Sequence, residues 1–334
     1  MQRIVRIAVI GAGSWGTTVA ALAAASTDTV LWARRSDLAS AINDTGENPE
    51  YLPDFELPDG LRATADISDA VTGAGTVVMA VPSHGFREVF TGVAGHIGTR
   101  TPVLSLTKGI EQDTLSTMTE VVAQVSPHHD RTLTGVMTGP NLATEILAGQ
   151  PTATVVAMQD ASAAERLQEL FMGPTFRVYT NDDVRGCELG GSLKNVMAIA
   201  AGMSDGLGFG DNTRATLITR ALAELTRLGV ALGGRPETFA GLAGMGDLIA
   251  TCISDRSRNH RVGFALAQGK TLEQIVSEMK MVAEGVKTTK SVLGLAGRTG
   301  VEMPIASHVD QVLEGEMTPR EGMMSLMTRE AKAE

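Results

Sequence analysis

Cysteine is nearly absent. The two present, Cys187 and Cys252, lie far apart with no C-x-x-C spacing, which argues against a disulfide framework or a zinc knuckle and suits free thiols in a reducing cytoplasm. Aromatic residues are also scarce, at eight Phe, two Trp and two Tyr, and 28 basic residues face 38 acidic ones for a net charge of −10. A chain without a basic field or stacking platforms is not expected to bind nucleic acid. No apolar run reaches the roughly 18 to 20 residues of a membrane-spanning helix, so no integral membrane segment is expected. Arg3 and Arg6 ahead of an apolar stretch give the start the outline of a secretory leader, but three glycines interrupt that stretch. His128 and His129 precede Asp130, yet adjacent side chains in extended backbone diverge, and no metal site is expected.

What is present is a globular composition, 43% hydrophobic and 20% charged, in 334 residues. At roughly 150 residues per domain, that length suggests two domains. The run from Arg6 to Ile10 reads as a strand, the glycines that follow as a tight turn, and residues 14–25 as a helix. Residues 29–33, 76–81 and 102–106 read as further strands with helical patterns between them, and residues 133–137, 152–158 and 176–180 extend the series. Strand alternating with helix predicts an N-terminal Rossmann-like, doubly wound parallel sheet over 1–182. Beyond Asn181 the strand signals stop. Helical patterns at 184–203, 213–231, 262–267, 272–279, 288–298 and 306–313 predict a C-terminal all-helical domain over 183–334, so the fold class is α/β plus an all-helical unit.

Gly11-Ala-Gly-Ser-Trp-Gly16 matches G-x-G-x-x-G directly after the first strand and at the mouth of a helix. There Gly11 makes the turn, Gly13 admits a pyrophosphate and Gly16 allows close helix packing. About twenty residues on, where an NAD-specific fold usually carries an acid, stand Arg34 and Arg35. Guanidinium groups suit a 2′-phosphate, so NADP(H) is favoured and NAD(H) tolerated. Val81-Pro82-Ser83-His84, Thr107-Lys108-Gly109 and Gly139-Pro140-Asn141 each follow a strand at the edge where open α/β sheets bind ligands. In the helical half, Lys194 shares a helix face with Cys187, Gly190, Gly191, Ala198 and Ala201, and these small residues suggest room for a ligand beside it. Asp247 is expected at a glycine-lined turn, where it can orient Lys194 or a substrate hydroxyl. Ser257-Arg258-Asn259 reads as a capped helix start at which free N–H groups and a guanidinium meet a small anion.

Taken with Gly190-Gly-Ser-Leu-Lys-Asn195, Gly202-Met-Ser-Asp-Gly206, Gly244-Met-Gly-Asp-Leu248 and Glu284-Gly285, these motifs make the chain resemble bacterial-type NAD(P)-dependent glycerol-3-phosphate dehydrogenases over nearly its whole length. The resemblance implies reversible reduction of dihydroxyacetone phosphate to sn-glycerol 3-phosphate in the cytoplasm, supplying phospholipid synthesis, and a homodimer as the family's assembly. It implies Lys194 and Asp247 as catalytic residues. Lys108, Gly139, Asn141, Lys194, Asp247, Ser257, Arg258 and Asn259 are implied as substrate positions. Ser14, Trp15, Arg34, Arg35, Lys108, Ala143, Arg258, Val282 and Glu284 join the glycines at the cofactor. Asn141 stands where many members carry Thr or Ser. Two rivals share parts of this pattern, a hydroxyacid dehydrogenase of the 6-phosphogluconate type and a non-catalytic NADP sensor. The first has no need of the phosphate-like cluster at Ser257, the second none of Lys194.

Overall fold

The computed structural model describes residues 6–279 and 283–330. They form two compact units. One holds the described residues up to Lys108 together with Ser116–Glu188, and the other holds Gly109–Leu115 with the described residues from Leu189 onward.

The first unit contains β1 Arg6–Ile10, β2 Asp28–Trp32, β3 Glu47–Asn48, β4 Leu52–Glu56, β5 Leu61–Thr64, β6 Thr76–Met79, β7 Val103–Ser105, β8 Thr134–Thr138, β9 Thr152–Ala157 and β10 Phe176–Asn181. Eight of these make one sheet in the order β10-β9-β8-β7-β6-β1-β2-β5. Strand β1 sits inside it, with Val9 registered against Leu31 on one side and Val78 on the other. Those three residues belong to one apolar core, whereas Ala8, Val30 and Val77 belong to a second. Alternate side chains therefore bury both faces, which is why these strands read as unbroken apolar runs.

The sheet is not wholly parallel as expected. Strand β9 runs antiparallel to β8, while β9 and β10 are parallel to each other. The helix between β8 and β9, Ala143–Leu147, has five residues. At 1.5 Å per residue it cannot carry the chain back along the length of a strand, so the chain returns beside β8 in the opposite sense. The sequence reading also omits β5 and the β3/β4 ribbon. Only Ala63 of β5 is buried, and its backbone is paired by the Asn43 side chain, whose Nδ2 donates to Ala63 O at 2.9 Å and whose Oδ1 accepts from Ala63 N at 2.8 Å. A polar four-residue edge strand carries no alternation to detect.

The second unit is helical around a single apolar core that includes Leu193, Val196, Met197, Leu225, Leu228, Phe239 and Val292. Helix Val184–Gly206 begins in the first unit and continues in the second. Its opening turn is bonded to the first: Glu188 accepts from Thr119 N at 2.9 Å and Thr119 Oγ1 at 2.6 Å, and Arg185 pairs with Glu120 at 2.9 Å. The two compact units therefore divide inside this helix, and Gly109–Leu115 goes with the helical unit. Among the described residues no helix is long and apolar enough to cross a membrane.

Candidate functional site

In the first unit the sheet order sets the polar loops in a row at the carboxyl ends of β8, β7, β6, β1 and β2. Gly11 has φ +123°, and a Cβ there would lie 2.5 Å from Ala80 O; a Cβ on Gly16 would lie 2.0 Å from Gly11 O. Both positions exclude any side chain. A Cβ on Gly13 meets nothing within 4 Å, so this glycine keeps open space beside the first turn of helix Ser14–Ala24. That contrast is what a loop needs to admit a diphosphate to its backbone N–H groups. Buried Asn48 braces the loop, donating to Ala12 O at 2.9 Å and Thr17 Oγ1 at 2.8 Å, and Ser14 Oγ donates to Tyr51 O at 3.2 Å.

Arg34 and Arg35 are exposed just beyond β2. Arg35 is ion-paired with Glu50 and lies 3.3 Å from Asp37, and these carboxylates raise its already high pKa. Lys108 Nζ donates to Gly139 O at 2.9 Å, and Gly139 has φ +143° in the turn before Asn141. Thr154 Oγ1 donates to Thr138 O at 3.0 Å and so accepts from Asn141 Nδ2 at 3.1 Å, which fixes the orientation of the amide. Asn141 therefore presents its Oδ1 as an acceptor. Its Oδ1, Thr138 Oγ1 and Trp15 Nε1 are buried with no partner. All three lie beside loops at the carboxyl edge of the sheet, where a polar ligand could satisfy them. Ala143 opens the short helix after this turn.

In the second unit Lys194 is buried and its Nζ stands 3.0 Å from Asp247 Oδ1, also buried. Lys194 donates as well to Thr251 Oγ1, whose own proton goes to Asp247 O at 2.6 Å. Asp247 is not in a turn. It opens helix Asp247–Ile253 after a π-helical turn, Leu242–Gly246. Of the small residues named beside Lys194, Gly190 is needed for helix packing, as is Gly202 further along the same helix. A Cβ on Gly190 would lie 2.6 Å from Ala243 O, and one on Gly202 would lie 1.9 Å from His260 O. They seat neighbouring backbones against the helix, and so set where Asp247 and helix Arg258–Ala267 stand relative to Lys194.

Ser257 caps that last helix, accepting from His260 N at 3.3 Å. Asn259 is spent on scaffolding: Nδ2 donates to Asn195 Oδ1 at 3.0 Å and Oδ1 accepts from Gly285 N at 2.9 Å. These bonds tie the turn after Lys194 to the Ser257–Arg258 terminus and to the start of helix Glu284–Thr299. Arg258 keeps exposed surface while the surrounding protein lowers its pKa, partly offset by Glu284. It stays cationic at any physiological pH. Cys252 is buried close by with its thiol pushed up to about 12, so it offers no thiolate. Val282 lies outside the described residues. Thr251 was missed, although its spacing of four from Asp247 would have revealed it had residues 247–253 been read as helix.

A glycine loop at the carboxyl edge of a Rossmann-like sheet, joined to a helical unit with a buried Lys–Asp pair beside a cationic helix terminus, defines the class of two-domain, dinucleotide-dependent oxidoreductases. The chain matches the family profiles described as NAD-dependent glycerol-3-phosphate dehydrogenase N-terminus over residues 6–164 and C-terminus over residues 183–324. It is 53% identical over 322 residues, 96% of each chain, to glycerol-3-phosphate dehydrogenase (NAD(P)+) 2 of Sphingopyxis alaskensis. It is 51% identical over 330 residues, 98% of each chain, to glycerol-3-phosphate dehydrogenase (NAD(P)+) of Geobacter sulfurreducens. The crystal structure of glycerol-3-phosphate dehydrogenase from Coxiella burnetii superposes with a TM-score of 0.91 at 38% identity, covering 98% of this chain and 99% of that one. The chain belongs to the NAD-dependent glycerol-3-phosphate dehydrogenase family.

Proposed function

We propose that this chain interconverts dihydroxyacetone phosphate and sn-glycerol 3-phosphate with NADPH or NADH, in the cytoplasm and in supply of phospholipid synthesis. The observation that carries the reading is the buried Lys194–Asp247 pair, tied through Asn195 and Asn259 to the capped terminus bearing Arg258. Gly11, Gly13, Ser14, Trp15 and Gly16 would hold the cofactor diphosphate and its surroundings, and Arg34 and Arg35 a 2′-phosphate, which favours NADPH. Lys108, Gly139, Asn141 and Ala143 are assigned to the same edge of the sheet, with Val282 and Glu284 as the helical unit's contribution.

When bound, the reduced nicotinamide supplies the hydride that reaches the ketone carbon. As that bond forms, negative charge grows on the carbonyl oxygen, and the Lys194 ammonium stabilises it and delivers the proton. Asp247 and Thr251 hold that ammonium at one point, so little orientation is lost on reaching the transition state. Arg258 and the N–H groups of its helix bind the substrate phosphate, a dianion suited to a helix N-terminus. Binding energy from the phosphate then positions the ketone.

Purified protein given NADPH or NADH with dihydroxyacetone phosphate, and separately with unphosphorylated dihydroxyacetone, tests this. Oxidation of either cofactor with a kcat/KM at least about tenfold higher for the phosphorylated triose is expected, since one charged hydrogen bond contributes at least about 1.4 kcal/mol. Equal rates for the two trioses would contradict the assignment.

A further inference from the structure

No acid stands at the end of β2, but one from another segment reaches Arg35 there. Glu50 lies in the turn between β3 and β4, and its carboxylate is bonded to Arg35, whose other acidic neighbour, Asp37, is more exposed. The residues on either side of Glu50 are fastened to the glycine loop. Asn48 donates to Ala12 O and Thr17 Oγ1 and accepts from Tyr51 N at 3.2 Å, and Ser14 Oγ holds Tyr51 O. The backbone beneath Glu50 is thus braced, leaving its side chain, roughly a third exposed, as the part that can yield.

We infer that Glu50 is a specificity-determining residue: its carboxylate competes with a cofactor 2′-phosphate for Arg35 and holds NADPH affinity down relative to NADH. The inference rests on the assignment of Arg34 and Arg35 to the adenosine ribose. An incoming phosphate must take the guanidinium from Glu50 and leave a carboxylate beside a dianion, which is repulsive. A ribose 2′-hydroxyl brings no charge and meets no such conflict. One site then serves both cofactors, with the balance set by a residue outside the usual strand-end position.

The test is direct binding of NADPH and of NADH, without triose, by fluorescence titration of the full chain at low ionic strength, where exposed charges are least screened. Wild type, Glu50→Gln, Arg35→Ala and the double variant are compared. Glu50→Gln should tighten NADPH by about three- to tenfold and leave NADH within about twofold, a range set by the modest coupling of exposed charges. In the Arg35→Ala background the same change should leave NADPH within about twofold, because Glu50 acts by holding that guanidinium. The inference is overturned if Glu50→Gln leaves NADPH binding unchanged, tightens both cofactors alike, or gives the same gain without Arg35. If Arg35→Ala weakens NADH as much as NADPH, the cofactor assignment itself fails, a result distinct from a silent Glu50→Gln beside a discriminating Arg35→Ala.

Discussion

Lys194 and Arg35 are both cations held by carboxylates, in opposite surroundings. The Lys194 and Asp247 side chains keep 7% and 3% of their exposure, whereas Arg35 and Glu50 keep 55% and 35%. A buried pair cannot trade its partner for water, so its geometry is fixed before substrate arrives. An exposed pair is worth little and exchanges readily. The helical unit therefore holds its cation in a fixed place, and the sheet unit holds one in a contact that can exchange.

The largest expected break in that contrast is Asp247→Ala. It leaves Lys194 buried without its ion-pair partner and should cost about 3 to 5 kcal/mol of stability in urea unfolding. Replacing both residues, Lys194→Met with Asp247→Leu, should be clearly less destabilising and still abolish turnover. If the double variant is no more stable than Asp247→Ala, the buried pair is not what the loss measures.

Next comes Glu224, a carboxylate buried on helix Asp211–Ala231. It accepts from Ile305 N at 2.9 and 3.1 Å at the start of helix Pro304–Leu313, and burial raises its pKa to about 7 despite those bonds and the neighbouring Arg227 and Arg329. A carboxyl group whose pKa is raised on folding contributes stability that is complete below about 4.5 and is lost as the pH climbs through about 7. The loss is at most about 3 kcal/mol. Melting temperatures from pH 4.5 to 8 should fall less for Glu224→Gln than for wild type across that window. Parallel curves would contradict the assignment.

Gly202→Ala tests whether the buried site depends on the helix crossing. The added Cβ falls 1.9 Å from His260 O, so helix Arg258–Ala267 must shift away from helix Val184–Gly206, which carries Lys194. Overpacking should cost about 1 to 3 kcal/mol, and a displacement near 1 Å should lower kcat by up to about a hundredfold. A folded variant with wild-type kcat would separate the crossing from the chemistry. The smallest effect is at the exposed end: Arg34→Ala with Arg35→Ala should weaken NADPH about tenfold and spare NADH, measured as dissociation constants.

The two regions also differ in how far the sequence revealed them. Gly11 and Gly16 were legible because only glycine fits a backbone approach of that kind between strand and helix, and Ser257 because a cap leaves a local signature. Lys194 stood out for the right reason only in part: its small neighbours mark helix packing, with the amine held by residues more than fifty positions away. Thr251 carried only its spacing of four from Asp247, and Asn48 and Glu50 carried no comparable signal. Asn48 and Glu50 sit in a ribbon too short and polar for any period, with Asp54 at φ +71° inside it, and their partners are set by tertiary structure. The reversal at β9 was equally hidden, since strand direction follows from the length of a connecting helix rather than from the strand's own residues.

If Lys194 donates the proton and takes no part in holding the cofactor, as proposed, its loss should slow the chemistry and leave cofactor binding alone. Single-turnover reduction of dihydroxyacetone phosphate by Lys194→Ala, with NADPH affinity and the melting curve of the same variant measured in parallel, tests it most directly. A folded protein is expected whose rate is lower by roughly 10²- to 10⁴-fold, the usual contribution of a positioned general acid, with NADPH binding within about twofold of wild type. A variant that keeps more than about a third of the wild-type rate would contradict it.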